Sequence, residues 1–335
     1  MLYGLIEGIK TLSVIGMCKN AGKTTVLNSL IAECEAHGEV LGLTSIGRDG
    51  ERSDLVTNTK KPEIFVREGA VIATAEGLLR RSDISREILA ATGVPTPMGD
   101  IVIVRARSSG FVQIGGASIT EHQKGIRDEL FAFGCDRVFI DGAISRKSLG
   151  NPALADGVIL SSGASYDPDI RKTVADTAYI AGLFSLKTRE NVKTGEGRYT
   201  LEADGETVSS DSLEQLIKPL KAADDCVLFM RGAVTDNTAK ELLNYGKLLK
   251  NTLLAAEDAS RLLLKPASYE KLLRFSRGLE VRNGTRLIAV TVNPFSAYGT
   301  HYDKDEFYRA VMDMLEENGV SAPVIDVKNV YRRTA

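Results

Sequence analysis

The stretch Gly16-Met17-Cys18-Lys19-Asn20-Ala21-Gly22-Lys23-Thr24-Thr25 constrains this chain more than any other. It follows a short apolar run, Thr11–Ile15, that reads as a buried strand. It opens a segment, Thr24–Ala36, whose apolar residues Val26, Leu27, Leu30 and Ile31 keep helical spacing and which Gly38 ends. A glycine-rich turn between a strand and a helix is an anion site. Successive backbone N–H groups form a nest, and the helix N-terminus adds the positive end of its dipole. Lys23 is then expected to reach the β- and γ-phosphates of a nucleotide, and the Thr24 hydroxyl to ligate Mg²⁺. Lys19, Asn20, Ala21 and Thr25 complete the phosphate-binding turn with Gly16 and Gly22, the latter being small where backbone must approach phosphate closely. The loop is one residue longer than the common GxxxxGK[ST] form, which would put its first glycine where Met17 stands.

A phosphate site of this kind needs a carboxylate at a strand end to hold Mg²⁺ through water and to order the attacking group. Arg137-Val138-Phe139-Ile140-Asp141-Gly142-Ala143 supplies one: apolar residues lead to Asp141, and Gly142 lets the chain turn. A second polar set, Ser45, Arg48, Asp49, Glu51 and Asp54, follows the strand read over Val40–Ile46. Asp49 is a plausible second Mg²⁺ ligand and Arg48 a phosphate contact, with a solvated Asp-Gly turn as the competing reading. Lys23, Asp141 and Asp49 are thus the candidate catalytic set, and Thr24, Asp49 and Asp141 the candidate metal ligands. Arg146 and Lys147 directly follow the Asp141 strand, where they either touch phosphate or lie on a surface loop. Arg105 and Arg107 alternate on one strand face, where exposure is the commoner outcome. Asn293-Pro294 follows the strand Leu287–Val292, at the end of a strand where open α/β sheets bind ligands; it reads either as a site for a base or partner or as a turn. No Asn-Lys-x-Asp-like clamp for guanine is present, which favours ATP over GTP.

The 335 residues suggest two domains. Strands and helices alternate, which argues for an α/β fold with mostly parallel sheet. The expected division is a phosphate-loop nucleotide-binding domain over 1–186, a polar Gly-rich hairpin connector over 187–211, and a second, smaller α/β domain over 212–335. Within this reading Asp83–Ala91 is a helix, and Ile101–Val104 pairs with Phe111–Ile114 around a Ser-Ser-Gly turn. Lys plus Arg is 42 and Asp plus Glu is 44, so the net charge of −2 excludes a broadly basic nucleic-acid binder. No apolar run approaches the roughly 20 residues of a membrane span, and Met1–Lys10 does not read as a secretory signal. Cys18, Cys34, Cys135 and Cys226 form no metal spacing and are expected as reduced, mostly buried thiols in the cytoplasm. His37, His122 and His301 are expected at the surface.

The longer loop resembles that of dethiobiotin synthetase and the cobyrinic acid synthetases, in the P-loop class that also holds the MinD and signal-recognition GTPases. Asp141 with Gly142 and Ala143 resembles the strand end of the same proteins. Some members carry an extra lysine early in the loop that reaches across a dimer; Lys19 sits one position too close to Lys23 for that role. More specifically, Ser13–Thr25, Leu41–Glu51 and Phe139–Ser148 together resemble the reactivase subunit family associated with lysine 5,6-aminomutase, an adenosylcobalamin- and pyridoxal phosphate-dependent enzyme. That resemblance covers roughly the first 150 residues. It implies a nucleotide-hydrolysing maintenance protein whose partners are the mutase and a separate ATPase subunit, with the second domain contacting one of them. Membership of the P-loop class also implies a homodimer as one arrangement. The alternative is an ATP-dependent ligase or small-molecule kinase like dethiobiotin synthetase, and a third reading is a nucleotide sensor without hydrolysis.

Overall fold

The computed structural model describes residues 2–46, 64–143, 153–216 and 225–327. The chain runs through β1 (Thr11–Gly16), α1 (Lys23–Ala36), β2 (Leu41–Ser45), β3 (Ile64–Val66), β4 (Val71–Ala75), α2 (Glu76–Leu79), β5 (Arg86–Ala91), β6 (Ile101–Ala106), β7 (Gly110–Val112), α3 (Thr120–Ala132), β8 (Arg137–Ala143), β9 (Gly157–Gly163) and α4 (Ile170–Phe184). It continues through β10 (Tyr199–Ala203), β11 (Glu206–Ser210), β12 (Cys226–Met230), β13 (Val234–Thr235), α5 (Asp236–Leu243), α6 (Gly246–Leu249), β14 (Thr252–Ala256), β15 (Leu262–Leu263), α7 (Pro266–Phe275), β16 (Gly278–Val281), β17 (Arg286–Asn293), α8 (Lys304–Glu317) and β18 (Val324–Asp326).

The fold is α/β, built on a nine-stranded, mostly parallel sheet of order β18-β17-β9-β1-β8-β2-β4-β6-β5. β1 lies between β8 and β9, parallel to both, with Val14 opposite Asp141 and Ile159. Every residue of β1 is buried, as a parallel strand covered on both faces requires. Leu12, Val14, Leu41, Leu43, Phe139 and Ile159 meet Val26, Leu27, Leu30 and Ile31 of α1 in one core. Those four helix side chains are at most 1% exposed, and each is worth about 1.5–3 kcal/mol of burial. The other sheet face meets α3, where Gln123 Nε2 donates to Thr44 Oγ1 at 3.1 Å and the small Gly42 leaves room for Leu130 and Cys135. At the amino ends of the strands, buried Arg137 donates to Glu39 and to the carbonyls of Ile6 and Ile9, pinning the N-terminal turn.

The chain divides into two units, one of Met1–Leu149, Ala153–Thr177 and Leu287–Ala335, the other of Gly150–Pro152 and Ala178–Arg286. The second is built on a five-stranded sheet of order β11-β10-β12-β14-β16. It is therefore inserted, not appended: β17, α8 and β18, expected in the second domain, belong to the first unit, and β17 pairs beside β9. The run Leu287–Val292 is apolar on both faces and needs a sheet interior, which the large sheet supplies. The expected connector over 187–211 holds the β10–β11 hairpin, whose inner strand pairs with β12 as part of the smaller sheet.

Two local expectations fail. Asp83–Ala91 holds β5, antiparallel to β6, because strand pairing overrides the helical propensity of Glu, Leu and Ala. Phe111 pairs with Phe65 of β3 instead of with β6. The cysteines are free thiols, Cys34, Cys135 and Cys226 buried and Cys18 half-buried; His37, His122 and His301 are exposed. No helix among the described residues is long and apolar enough to cross a membrane.

Candidate functional site

Gly16 ends the central strand. The Met17 N–H donates to Ser161 O of β9 at 2.9 Å, so the loop starts as an extension of the ladder. It then turns through Asn20 at φ +62° and Gly22 at φ +96°. Gly22 caps α1, its carbonyl accepting the Val26 N–H at 3.1 Å. Glycine is demanded there twice, by the left-handed backbone and by Val327 and Asn293, which a Cβ would meet at 3.2 and 3.4 Å. Gly16 is demanded for a different reason. A Cβ on it would lie 2.6 Å from Lys23 Cδ and 2.7 Å from Cγ. The lysine stem is folded back over the loop, so the residue spacing that sequence read as a phosphate cradle is realised as a lysine laid across a bare glycine.

The loop rests on two neighbouring strand ends. Buried Ala21 faces Gly163 of β9, where a Cβ would come 3.4 Å from Ala21 Cα. Asn293, the last residue of β17, donates from Nδ2 to Asn20 O at 3.0 Å and accepts the Phe295 N–H at 3.2 Å. Of its two sequence readings the turn is the one seen, in the bond from the Phe295 N–H, and the same side chain also clamps the glycine-rich loop through Asn20 O. Lys19 is exposed; Thr24 and Thr25 are half-buried in the first turn of α1. Burial pushes the Cys18 thiol up to about 11, while Lys23 pulls it down.

Asp141 lies on β8 opposite Val14 of β1 and Ser45 of β2, and its carbonyl accepts the Ile46 N–H at 3.0 Å. Side chains alternate along a strand. Counting from the core residues Val14, Leu43, Phe139 and Ile159, the α1 face therefore receives Gly16, Ser45, Asp141 and Ser161. The carboxyl ends of four adjacent strands thus present a lysine-covered glycine, a carboxylate and two hydroxyls beneath the loop.

Arg48, Asp49, Arg146 and Lys147 lie outside the described residues. Arg105 donates to Phe133 O at 2.9 Å, and Arg107 pairs with Glu87, so both are engaged away from the loop. Sequence reasoning passed over the buried bond from Thr291 Oγ1 to Ser161 Oγ, 2.9 Å, and the Gly115-Gly116 segment. Gly116 packs so closely on β2 that a Cβ would fall 1.7 Å from Ser45 O; its paired glycines were the available signal.

The donors suit a hard cation. Thr24 and Asp141 offer oxygen, and Ser45 adds a buried hydroxyl. Among the described residues no group of three or more His, Cys, Asp or Glu is placed to hold a metal. Mg²⁺ commonly takes one or two carboxylates and completes its shell with water and substrate phosphates, so these residues fit it as a nucleotide-borne ion.

Fold and loop together define an α/β protein with a glycine-rich loop at the carboxyl end of its central parallel strand. No family model and no curated protein matches the sequence. Among solved structures, pNOB8 ParA bound to nonspecific DNA is similar at a TM-score of 0.28 and 12% identity, over 97% of this chain and 99% of that one. A likeness this slight carries no argument about either fold or function.

Proposed function

We propose that this chain is a Mg²⁺-dependent nucleotide-binding and hydrolysing protein, with ATP favoured over GTP. The observation that carries the reading is the Lys23 stem folded over Gly16 at the end of β1, with Asp141 on the neighbouring strand and the same sheet face. In this reading the loop's backbone N–H groups and the α1 N-terminus receive the β-phosphate, and Lys23 places one positive charge against the β- and γ-oxygens. Thr24 and Asp141 are the residues that would hold the ion, Thr24 through its hydroxyl oxygen and Asp141 through water. Bound Mg²⁺ would neutralise charge developing on the transferred phosphoryl group.

Equilibrium binding of ATP and GTP, with and without Mg²⁺, tests this. Lys23→Ala should weaken Mg–nucleotide binding at least about 10-fold, the scale of one charge-assisted contact. Equal affinity in the wild type and Lys23→Ala would overturn it.

The finer reading is that hydrolysis serves exchange of damaged cofactor on lysine 5,6-aminomutase, the phosphate loop acting as a switch between nucleotide states. It is supported by the three motifs that resemble the reactivase subunit family, two of which continue into residues outside the described ones. Adding the mutase and its partner ATPase subunit should raise hydrolysis in the wild type and not in Lys23→Ala. Turnover that instead depends on a small carboxylic acid or amine would point to the ligase or kinase reading.

A further inference from the structure

Ser45 is the last residue of β2 and is completely buried. Its hydroxyl has no hydrogen-bond partner among the described residues. A buried hydroxyl left this way costs about 1–3 kcal/mol, and an alanine would fill the same space without that cost. The neighbouring hydroxyls are satisfied: Thr44, on the opposite face, accepts from Gln123, and Ser161 accepts from Thr291. Ser13 Oγ on β1 is likewise without a partner among the described residues, but Ser13 stands opposite Ile140, on the other face. Ser45 carries the unsatisfied hydroxyl that stands opposite Asp141 in register and on its face. Neighbouring strands are about 4.8 Å apart, a span that one water molecule bridges. Gly116 packs directly on the Ser45 backbone, where a Cβ would fall 1.7 Å from Ser45 O.

Resting on the Mg–nucleotide reading above, we propose that Ser45 is a positioning residue for Asp141. Its hydroxyl bonds the water that Asp141 shares with the nucleotide-borne Mg²⁺, and so fixes the carboxylate's orientation. Partners at this remove from an ion characteristically tune its affinity by about 10- to 100-fold. They do so without touching the phosphates, so a metal-dependent readout separates this role from a structural one.

The test is nucleotide binding by the full-length chain across a Mg²⁺ titration. Ser45→Ala should raise the Mg²⁺ concentration at half-maximal binding about 10-fold. Affinity in EDTA should stay within about twofold of wild type, and the thermal midpoint should be unchanged or higher, because the unsatisfied group is gone. Ser45→Thr keeps the hydroxyl and should retain the wild-type Mg²⁺ midpoint. Should Ser45→Ala not fold, Ser45→Cys, close in size and a weaker donor, should show the same rise. An unchanged Mg²⁺ midpoint in a variant that still binds nucleotide overturns the role of Ser45 and leaves the nucleotide site standing. A wild-type chain that binds no Mg–nucleotide overturns the underlying reading and this proposal with it.

Discussion

Gly16 shows how a single hydrogen in place of a methyl decides what a loop can do. Its missing Cβ is occupied by the Lys23 stem, and because that neighbour is a flexible side chain the fold survives its displacement. Gly16→Val should therefore cost about 1–3 kcal/mol of stability, the usual range for overpacking. The same change should weaken nucleotide binding at least about 10-fold by driving the lysine off the loop. Thermal melts beside equilibrium binding separate the two, and a parallel loss of both would mean that Gly16 serves packing alone. Asn293 makes the complementary case. Asn293→Ala removes the bond to Asn20 O, worth about 1 kcal/mol, and should weaken nucleotide binding several-fold with little change in melting. Unaltered affinity would show that the loop holds its left-handed Asn20 without the clamp. Gly16, Lys23 and Asp141 were legible from sequence because each belongs to a local pattern of strand, glycine and charge. The clamp was not: Asn20 and Asn293 lie 273 positions apart, and nothing in the chain between them marks the pairing.

At the scale of elements, β1 and α1 were readable because a fully apolar run and a 3.6-residue period leave little choice. β5 was misread because Arg-Glu-Ile-Leu-Ala-Ala suits a helix locally, and only β6 makes it a strand. The amino ends of the strands carry a separate device. Hydrogen bonding from Arg137 holds the Glu39 carboxyl below its ordinary value, with a smaller contribution from the Tyr3 hydroxyl and opposed by burial. A carboxylate depressed in the folded state contributes stability that is fully present above its unfolded value, about 4.3. That contribution is lost as the pH falls through the folded value. Denaturant unfolding at pH 7 and pH 4 should show wild type losing part of its stability on acidification. Arg137→Met should cost about 3 kcal/mol at pH 7, since it leaves the Glu39 carboxylate without its cationic partner and removes the donor to the Ile9 carbonyl, and the loss between pH 7 and 4 should shrink. An acid limb as steep in Arg137→Met as in wild type would place the titration elsewhere.

For the whole molecule, the fold class and the alternation of elements were legible in chain order, but the return of the chain to its first sheet was not. Insertion is invisible to a reading in chain order, because β17 looks like any other apolar strand until β9 is beside it. The consequence is measurable. A ligand at 100 times its Kd stabilises the state that binds it by about 2.7 kcal/mol, and the gain is shared by whatever unfolds cooperatively with the site. Hydrogen exchange with saturating Mg–nucleotide should therefore slow the amides of β1, α1 and β8, and equally those of β17 near Asn293, although they lie in the C-terminal part of the chain. The amides of β10, β12 and β14, in the inserted unit, should exchange at unchanged rates. If instead β17 followed the inserted sheet and ignored nucleotide, residues 287–293 would belong energetically to the second unit. The contiguous division at 186 and 212 would then be the one that unfolds.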